Sequence, residues 1–304
     1  MKKTVLIFGI SSFVGSNLAE SLKDEFRVVG TYHTNPVEIP GITCYQCDVL
    51  KKDYVTHLTS LIKPDIAIYA VGMSSVTDCN LRPKFADALN ASGAITCCQA
   101  AERAGAKFIF ISSGFVLGGE NILYKENDTP FPNTALGSSL SSAEFYVQRS
   151  CLNYIILRCA QLYGRSFSQD HINWFEALQG NFLKNTPILA DDSVTTGFLD
   201  ISILGQILKS MIQNNVTNRL LQISSRDYMT RFQFAEIYAK VFRKDAHLIQ
   251  KSGVKFPIDA HNRTNAKEAQ NYYYQMDPAN IEEYLGTKMP TVEDSLRYTQ
   301  KRLS

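Results

Sequence analysis

The stretch TVLIFGISSFVGSNLAESL, Thr4 to Leu22, decides how the rest of the chain is read. An apolar run ends at Gly9, and a helical pattern takes over from Val14. Between them lies the turn Gly9-Ile10-Ser11-Ser12-Phe13-Val14-Gly15, with its two glycines six positions apart. Glycines here permit a tight turn and close approach of backbone to a pyrophosphate. The helix start adds unpaired N–H groups and the positive end of its dipole. Ser12 stands where a G-x-x-G-x-x-G loop has its middle glycine. Its hydroxyl can donate to phosphate, but its Cβ narrows the approach. An ordinary strand-to-helix turn is the plainer alternative, and the units that follow weigh against it.

Those units alternate. FRVVGTY, ITCYQCDV, PDIAIYAVG, AKFIFISS and YIILRCAQLYG read as strands. KDYVTHLTSLI and a span from about Lys84 to Ala104 read as helices. Strands separated by such helices form βαβ units with right-handed crossovers. The fold class expected is α/β, a doubly wound parallel sheet. IAIYA and FIFIS are apolar on both faces, as a covered parallel sheet requires. After Arg165 the rhythm changes, through INWFEALQ, PILADDSVTTGFLDISILGQILKSMI, RLLQIS and TRFQFAEIYAKVF. Residues 1–165 are expected to form the dinucleotide-binding half, with later segments adding strands and helices to it. Residues 166–304 are expected to form mainly a small C-terminal substrate lobe on the sheet's carboxyl edge, leaving a cleft between.

The second strand ends at Tyr32, about where an acid would bind the adenosine ribose of NAD. Without that carboxylate nothing repels a 2′-phosphate, and His33 and Thr34 can donate to one. The choice tilts toward NADP(H) over NAD(H), although no arginine is there to clamp the phosphate. Asp48 and Val49 follow the third strand and are placed beside the adenine, a solvated loop carboxylate being the alternative. Ala70, Val71 and Gly72, ending the fourth strand, complete the cofactor-binding set with Gly9, Ser11, Ser12, Phe13, Val14 and Gly15.

Composition excludes several classes. The 31 basic and 29 acidic residues give a net charge of +2, scattered without runs, so neither nucleic acid nor a membrane surface is an expected partner. The N-terminal MKKTVLIFGI lacks a signal peptide's cleavage pattern, and no apolar stretch approaches the ~20 residues of a membrane helix. A cytoplasmic protein is expected. Seven cysteines suit reduced thiols. Cys44-Tyr45-Gln46-Cys47 has C-x-x-C spacing but lies in a strand read as ending at Asp48, with no second pair to complete a zinc site. His33, His57, His171, His247 and His261 lack ligand-like spacing. No metal is expected.

VVGTYHTNP, KPDIAIYAVG, ALNASGAITCCQAAERAGAKFIFISSGFVLGG, ILRCAQLYG and TTGFLDISILGQIL, in this order and spacing, resemble the extended short-chain dehydrogenase/reductases, most closely the dTDP-4-dehydrorhamnose reductase group within the epimerase/dehydratase superfamily. The resemblance implies a Rossmann domain with a small substrate lobe. It also implies a Ser/Thr, a Tyr and a Lys around the nicotinamide, the tyrosine acting as general acid with its pKa lowered by the lysine. Ser113 matches the first. The Y-x-x-x-K pair falls on Leu136 and Leu140, in LGSSL, and the following SSAEF keeps the register. Leucine offers neither proton nor charge. Tyr146, ten residues along the same helix, is about 15 Å away. Tyr163 could lie near the nicotinamide, a packed core tyrosine being the alternative. The tail AQNYYYQMD, Ala269 to Asp277, departs from the family's R-P-x-N-like segment.

The function implied is a dTDP-4-dehydrorhamnose reductase-like dinucleotide-binding protein, non-catalytic or regulatory. The methionine adenosyltransferase β subunit, which resembles the same reductases, is a precedent for regulation. The alternative is an NADP(H)-dependent nucleotide-sugar reductase or epimerase with another proton donor. The implied partners are a nicotinamide dinucleotide, and either a nucleotide sugar or a regulated protein.

Overall fold

The computed structural model describes residues 2–167, 172–254, 256 and 271–303. His171, His261, Ala269 and Gln270 lie outside the described residues. The chain opens with β1 (Thr4–Phe8), α1 (Phe13–Leu22), β2 (Arg27–Tyr32), β3 (Thr43–Gln46), α2 (Lys52–Ile62) and β4 (Ile66–Tyr69). Next come α3 (Val76–Leu81), α4 (Pro83–Asp87), a π-helical segment Ala88–Gly93, α5 (Ala94–Arg103), β5 (Lys107–Ser113) and a 3-10 turn Gly114–Val116. Then follow β6 (Leu123–Tyr124), α6 (Ala135–Ser150), β7 (Tyr154–Cys159), β8 (Gln161–Tyr163) and α7 (Trp174–Lys184). The remainder comprises β9 (Ile188–Ala190), β10 (Val194–Thr196), β11 (Phe198–Asp200), α8 (Ile201–Gln213), β12 (Arg219–Ile223) and α9 (Arg231–Phe242). It ends with β13 (Ile249–Lys251), β14 (Tyr272–Met276), α10 (Ala279–Leu285) and α11 (Val292–Leu303).

Seven strands form one sheet in the order β12-β7-β5-β4-β1-β2-β3, and every pairing in it is parallel. Strand order reverses between β1 and β4, the place where such sheets bind ligands. Leu6 and Phe8 face one apolar layer with α2, α5 and α6. Val5 and Ile7 face the other with α1 and α8. All four are fully buried, which explains a strand apolar on both faces. β12, far along the chain, completes the sheet. Three small sheets, β10-β14-β6, β11-β8 and β13-β9, stand apart from it. A separate aromatic core of Tyr163, Phe175, Phe198, Phe234 and Tyr238 holds α7 and α9 together.

Two sequence boundaries need correction. β3 stops at Gln46, short of Asp48: the Cys47 N–H still donates to the Tyr32 carbonyl, but the chain then turns into a loop in which Asp48 Oδ1 accepts from the Leu50 N–H. The helix read from Lys84 to Ala104 is interrupted by π geometry at Ala88–Gly93. The Tyr69 hydroxyl donates to the Leu89 carbonyl at 2.5 Å, an oxygen that the Gly93 N–H would take in a regular helix. A Cβ on Gly93 would stand 2.5 Å from that hydroxyl, so glycine makes the intrusion possible. Among the described residues no helix is long and apolar enough to cross a membrane.

α6 is fastened to the sheet by a buried ion pair. Arg158 Nη2 donates to Glu144 Oε2 at 2.7 Å, Arg158 Nε reaches both carboxylate oxygens at 3.1 Å, and Ser112 Oγ donates to Oε1 at 2.6 Å. Both charged side chains are 1% exposed. Removing one partner leaves the other charge without compensation, which costs far more than the intact pair contributes. Arg158→Met is therefore expected to lower unfolding free energy by about 3–5 kcal/mol in a denaturant titration. The double variant Glu144→Leu with Arg158→Met should lose clearly less, and an equal or larger loss would refute this account.

Candidate dinucleotide and catalytic site

Gly9 has φ +81°. A Cβ there would stand 2.7 Å from Val71 Cγ2 and 2.9 Å from the Ala70 carbonyl oxygen. A Cβ on Gly15 would collide with the Gly9 carbonyl. Glycine at both places lets the β1–α1 turn lie against the end of β4, so the structure brings Gly9 to Gly15 together with Ala70, Val71 and Gly72. The N–H groups of Gly9 and Ile10 donate to the Thr31 carbonyl at 3.0 and 2.8 Å. Ser12 caps α1, its Oγ accepting from the Gly15 N–H at 2.9 Å. Its φ of −72° and ψ of 159° are open to any residue. The hydroxyl thus takes one of the orphan donors that a pyrophosphate would meet. The N–H groups of Phe13 and Val14 have no partner among the described residues.

At the carboxyl end of β2, Tyr32 is half-buried and His33 exposed. The Cys47 N–H donates to the Tyr32 carbonyl at 2.7 Å, and Gln46 Nε2 to the His33 carbonyl at 3.0 Å. Asp48 Oδ1 accepts from the Leu50 N–H at 3.0 Å, which ties that oxygen into its own loop. Val49 is buried, its Cγ2 lying 2.9 Å from where a Gly93 Cβ would stand.

The other part of the candidate site is built on α6. Thr134 caps it, its Oγ1 accepting from the Gly137 N–H at 3.0 Å. A Cβ on Gly137 would collide with the Phe115 carbonyl, so this glycine seats α6 on the turn that follows Ser113. Leu136 and Leu140 are in α6 at i and i+4, 3% and 8% exposed. They share one apolar cluster with Val116, Leu117, Tyr124, Tyr274 and Met276. Ser113 ends β5, and its Oγ accepts from the Phe115 N–H at 3.4 Å. Tyr146 Oη accepts from Gln99 Nε2 at 2.7 Å. Tyr163 is fully buried and donates to Ser295 Oγ at 2.6 Å, a core residue whose phenol burial makes a weaker acid.

A family model described as the RmlD substrate binding domain matches residues 1–304. The chain belongs to this family. The probable low-salt glycan biosynthesis reductase Agl14 of Haloferax volcanii is 25% identical over 299 residues, 95% of each chain. Methionine adenosyltransferase 2 subunit beta of Danio rerio is 23% identical over 210 residues, 67% of this chain and 64% of that one. Among solved structures, dTDP-4-dehydrorhamnose reductase of Bacillus anthracis in complex with NADP superposes with a TM-score of 0.80 at 20% identity, covering 99% of this chain and 100% of that one. The Bordetella bronchiseptica enzyme WbmG in complex with NAD and UDP gives a TM-score of 0.77 at 17% identity, covering 98% and 93%.

Within this RmlD-family frame, sequence reasoning missed two residues beside the site. Tyr274 comes from β14, which inserts between β10 and β6. Its ring lies 4.7 Å from that of Phe115, edge-on, and its hydroxyl donates to Asn133 Oδ1 at 2.6 Å. Burial raises the phenol pKa, the wrong direction for a general acid near neutrality. The signal was the period-2 placement of Tyr272, Tyr274 and Met276. Asn90, 1% exposed, sits in the π segment. Its Oδ1 accepts from the Met73 N–H at 2.8 Å, and its Nδ2 donates to Ser139 Oγ at 3.0 Å. It links the loop after β4 to α6, and no sequence spacing announces it.

Among the described residues no group of three or more His, Cys, Asp or Glu could hold a metal ion. Cys44 lies in β3 and Cys47 directly after it. Burial, with the charge of Asp48, pushes the Cys47 thiol up to about 11. A raised thiol pKa means little thiolate near neutrality. Alkylation of the native protein by iodoacetamide at pH 8, followed by peptide mass spectrometry, should leave Cys47 nearly unmodified over a time that labels it fully in denaturant. Rapid native labelling would contradict this environment.

Proposed function

We propose that the protein is a cytoplasmic, non-catalytic member of the nucleotide-sugar reductase family that binds a nicotinamide dinucleotide and regulates a protein partner. In this reading residues 1–165 carry the dinucleotide and the segments after 166 supply most of the lobe. The single observation that carries it is the pair Leu136 and Leu140, buried in the apolar cluster beside the Ser113 turn. A leucine pair cannot donate a proton to a carbonyl or depress the pKa of a neighbour. Tyr146, Tyr163 and Tyr274 are each hydrogen-bonded elsewhere. The glycine geometry of the β1–α1 turn supports dinucleotide binding. Tyr32, in place of an acid, favours NADP(H). When bound, the dinucleotide would supply hydride chemistry; the residues around it here provide only seating, with Ser113 the one hydroxyl kept from the catalytic set.

Saturating NADPH should raise the melting temperature, since a ligand specific to the native state stabilises it, and NADH should do so less. Unchanged melting with both would remove the dinucleotide from the proposal. Reduction of dTDP-4-dehydro sugars should be negligible against ordinary turnover of about 1–10³ per second. Turnover in that range would show that another residue carries the proton.

The double variant Leu136→Tyr with Leu140→Lys should be less stable, because an ammonium replaces a packed leucine. It should show weak but detectable NADPH oxidation against a 4-keto sugar nucleotide. Parent activity equal to the variant's would show that the catalytic positions lie elsewhere.

A further inference from the structure

Two of the cysteines meet where α5 packs against the end of α6. Cys98 lies in α5 and is 1% exposed, while Cys151 directly follows α6 and is 7% exposed. The Cys98 S–H donates to the Cys151 sulfur. A second contact holds the same seam one helical turn on: Glu102 Oε1 accepts from the Leu152 N–H at 3.3 Å. A third comes from Gln99, beside Cys98, whose Nε2 donates to Tyr146 Oη at 2.7 Å. The two sulfurs are therefore held together by the packing of their own neighbours.

The pair is unequal. Cys151 caps α6, its N–H donating to the Val147 carbonyl at 3.0 Å, and the next residue, Leu152, is 83% exposed. Cys151 is thus the outer sulfur and Cys98 the inner one. The hydrogen bond from Cys98 holds the Cys151 thiol below its ordinary value, against burial and the Glu102 charge. The same bond, with burial, raises Cys98. A thiolate is the form that attacks an oxidant, so the outer sulfur reacts first. The other five cysteines are placed differently. Cys79 and Cys159 donate to the Met73 and Leu157 carbonyls at 3.7 and 3.6 Å, and burial raises Cys44, Cys47 and Cys97. Sulfurs already in hydrogen-bond contact have only to close to about 2.05 Å to be joined.

We propose that Cys98 and Cys151 are a reversible thiol–disulfide pair, oxidised by a hydroperoxide, whose closure ties α5 to the end of α6. The Cys151 thiolate attacks one peroxide oxygen: an S–O bond forms, the O–O bond breaks, and the displaced hydroxide takes a proton from solvent to leave as water. Two electrons pass from sulfur to peroxide, leaving a sulfenic acid. Cys98 sulfur then attacks the Cys151 sulfur: the S–S bond forms, the S–O bond breaks, and hydroxide leaves as water with the Cys98 proton. A dithiol reductant returns both thiols by exchange. The pair does not depend on the dinucleotide reading.

The test treats the reduced full chain with hydrogen peroxide, quenches with acid, blocks free thiols with N-ethylmaleimide in denaturant and maps peptides without reduction. Cys151 should be oxidised several-fold faster than Cys47 or Cys159 and be recovered joined to Cys98, with fragmentation spectra separating Cys98 from Cys97. Dithiothreitol should restore both thiols. The oxidised protein should melt at a higher temperature than the reduced one, because the link restrains the unfolded chain. Oxidation of Cys151 no faster than that of Cys159 overturns the proposal, as does a link from Cys151 to Cys97 or a lowered melting temperature. Cys98→Ser should stop the reaction at a Cys151 sulfenic acid that dimedone traps, and a disulfide at Cys151 in that variant overturns the pairing. Should Cys98→Ser fail to fold by circular dichroism, the rates and the link in the parent chain decide alone.

Discussion

The contact between Glu144 and Arg158, closed by the Ser112 hydroxyl, fixes where α6 lies on the sheet. It joins the helix to β5 and β7 at once, in a place water does not reach. Every residue on the same face of α6 inherits its position from this contact, Leu140 one turn before it and Leu136 two turns before it. Charges buried like this are costly alone and stabilising only as a pair, so the arrangement specifies one helix position rather than adding much stability. The close seat of Gly137 on the Phe115 carbonyl does the same at the helix start, with sterics in place of charge.

On the proposed reading, the frame of a family active site is kept while its chemistry is replaced. Ser113 ends β5 next to the turn that seats α6. Leu136 and Leu140 of α6 belong to the same buried apolar cluster as Tyr274 and Met276 of β14. A tyrosine and lysine there would need polar partners and access to a ligand. Leucines need contact with other apolar groups, and the buried cluster around α6 provides it.

The nucleotide end shows the opposite balance. The glycines at 9 and 15 are still required by close backbone packing, but Ser12 caps α1 with its own hydroxyl. A diphosphate arriving there competes with that hydroxyl for the Gly15 N–H. The loop keeps its shape and offers fewer free donors than a glycine at 12 would leave.

The sequence by itself determined the parallel α/β sheet and the turn between β1 and α1. Each of these is written in local signals: apolar runs of strand length and glycines at fixed spacing. It also marked Tyr163 as a core alternative, and packing decided that question. Tertiary structure alone decided the π segment at Ala88–Gly93, because the intruding hydroxyl comes from Tyr69, a strand away. It alone carried β12 back to the edge of the first sheet and β14 onto the turn after Ser113, since strand pairing over such distances leaves no mark on composition or periodicity.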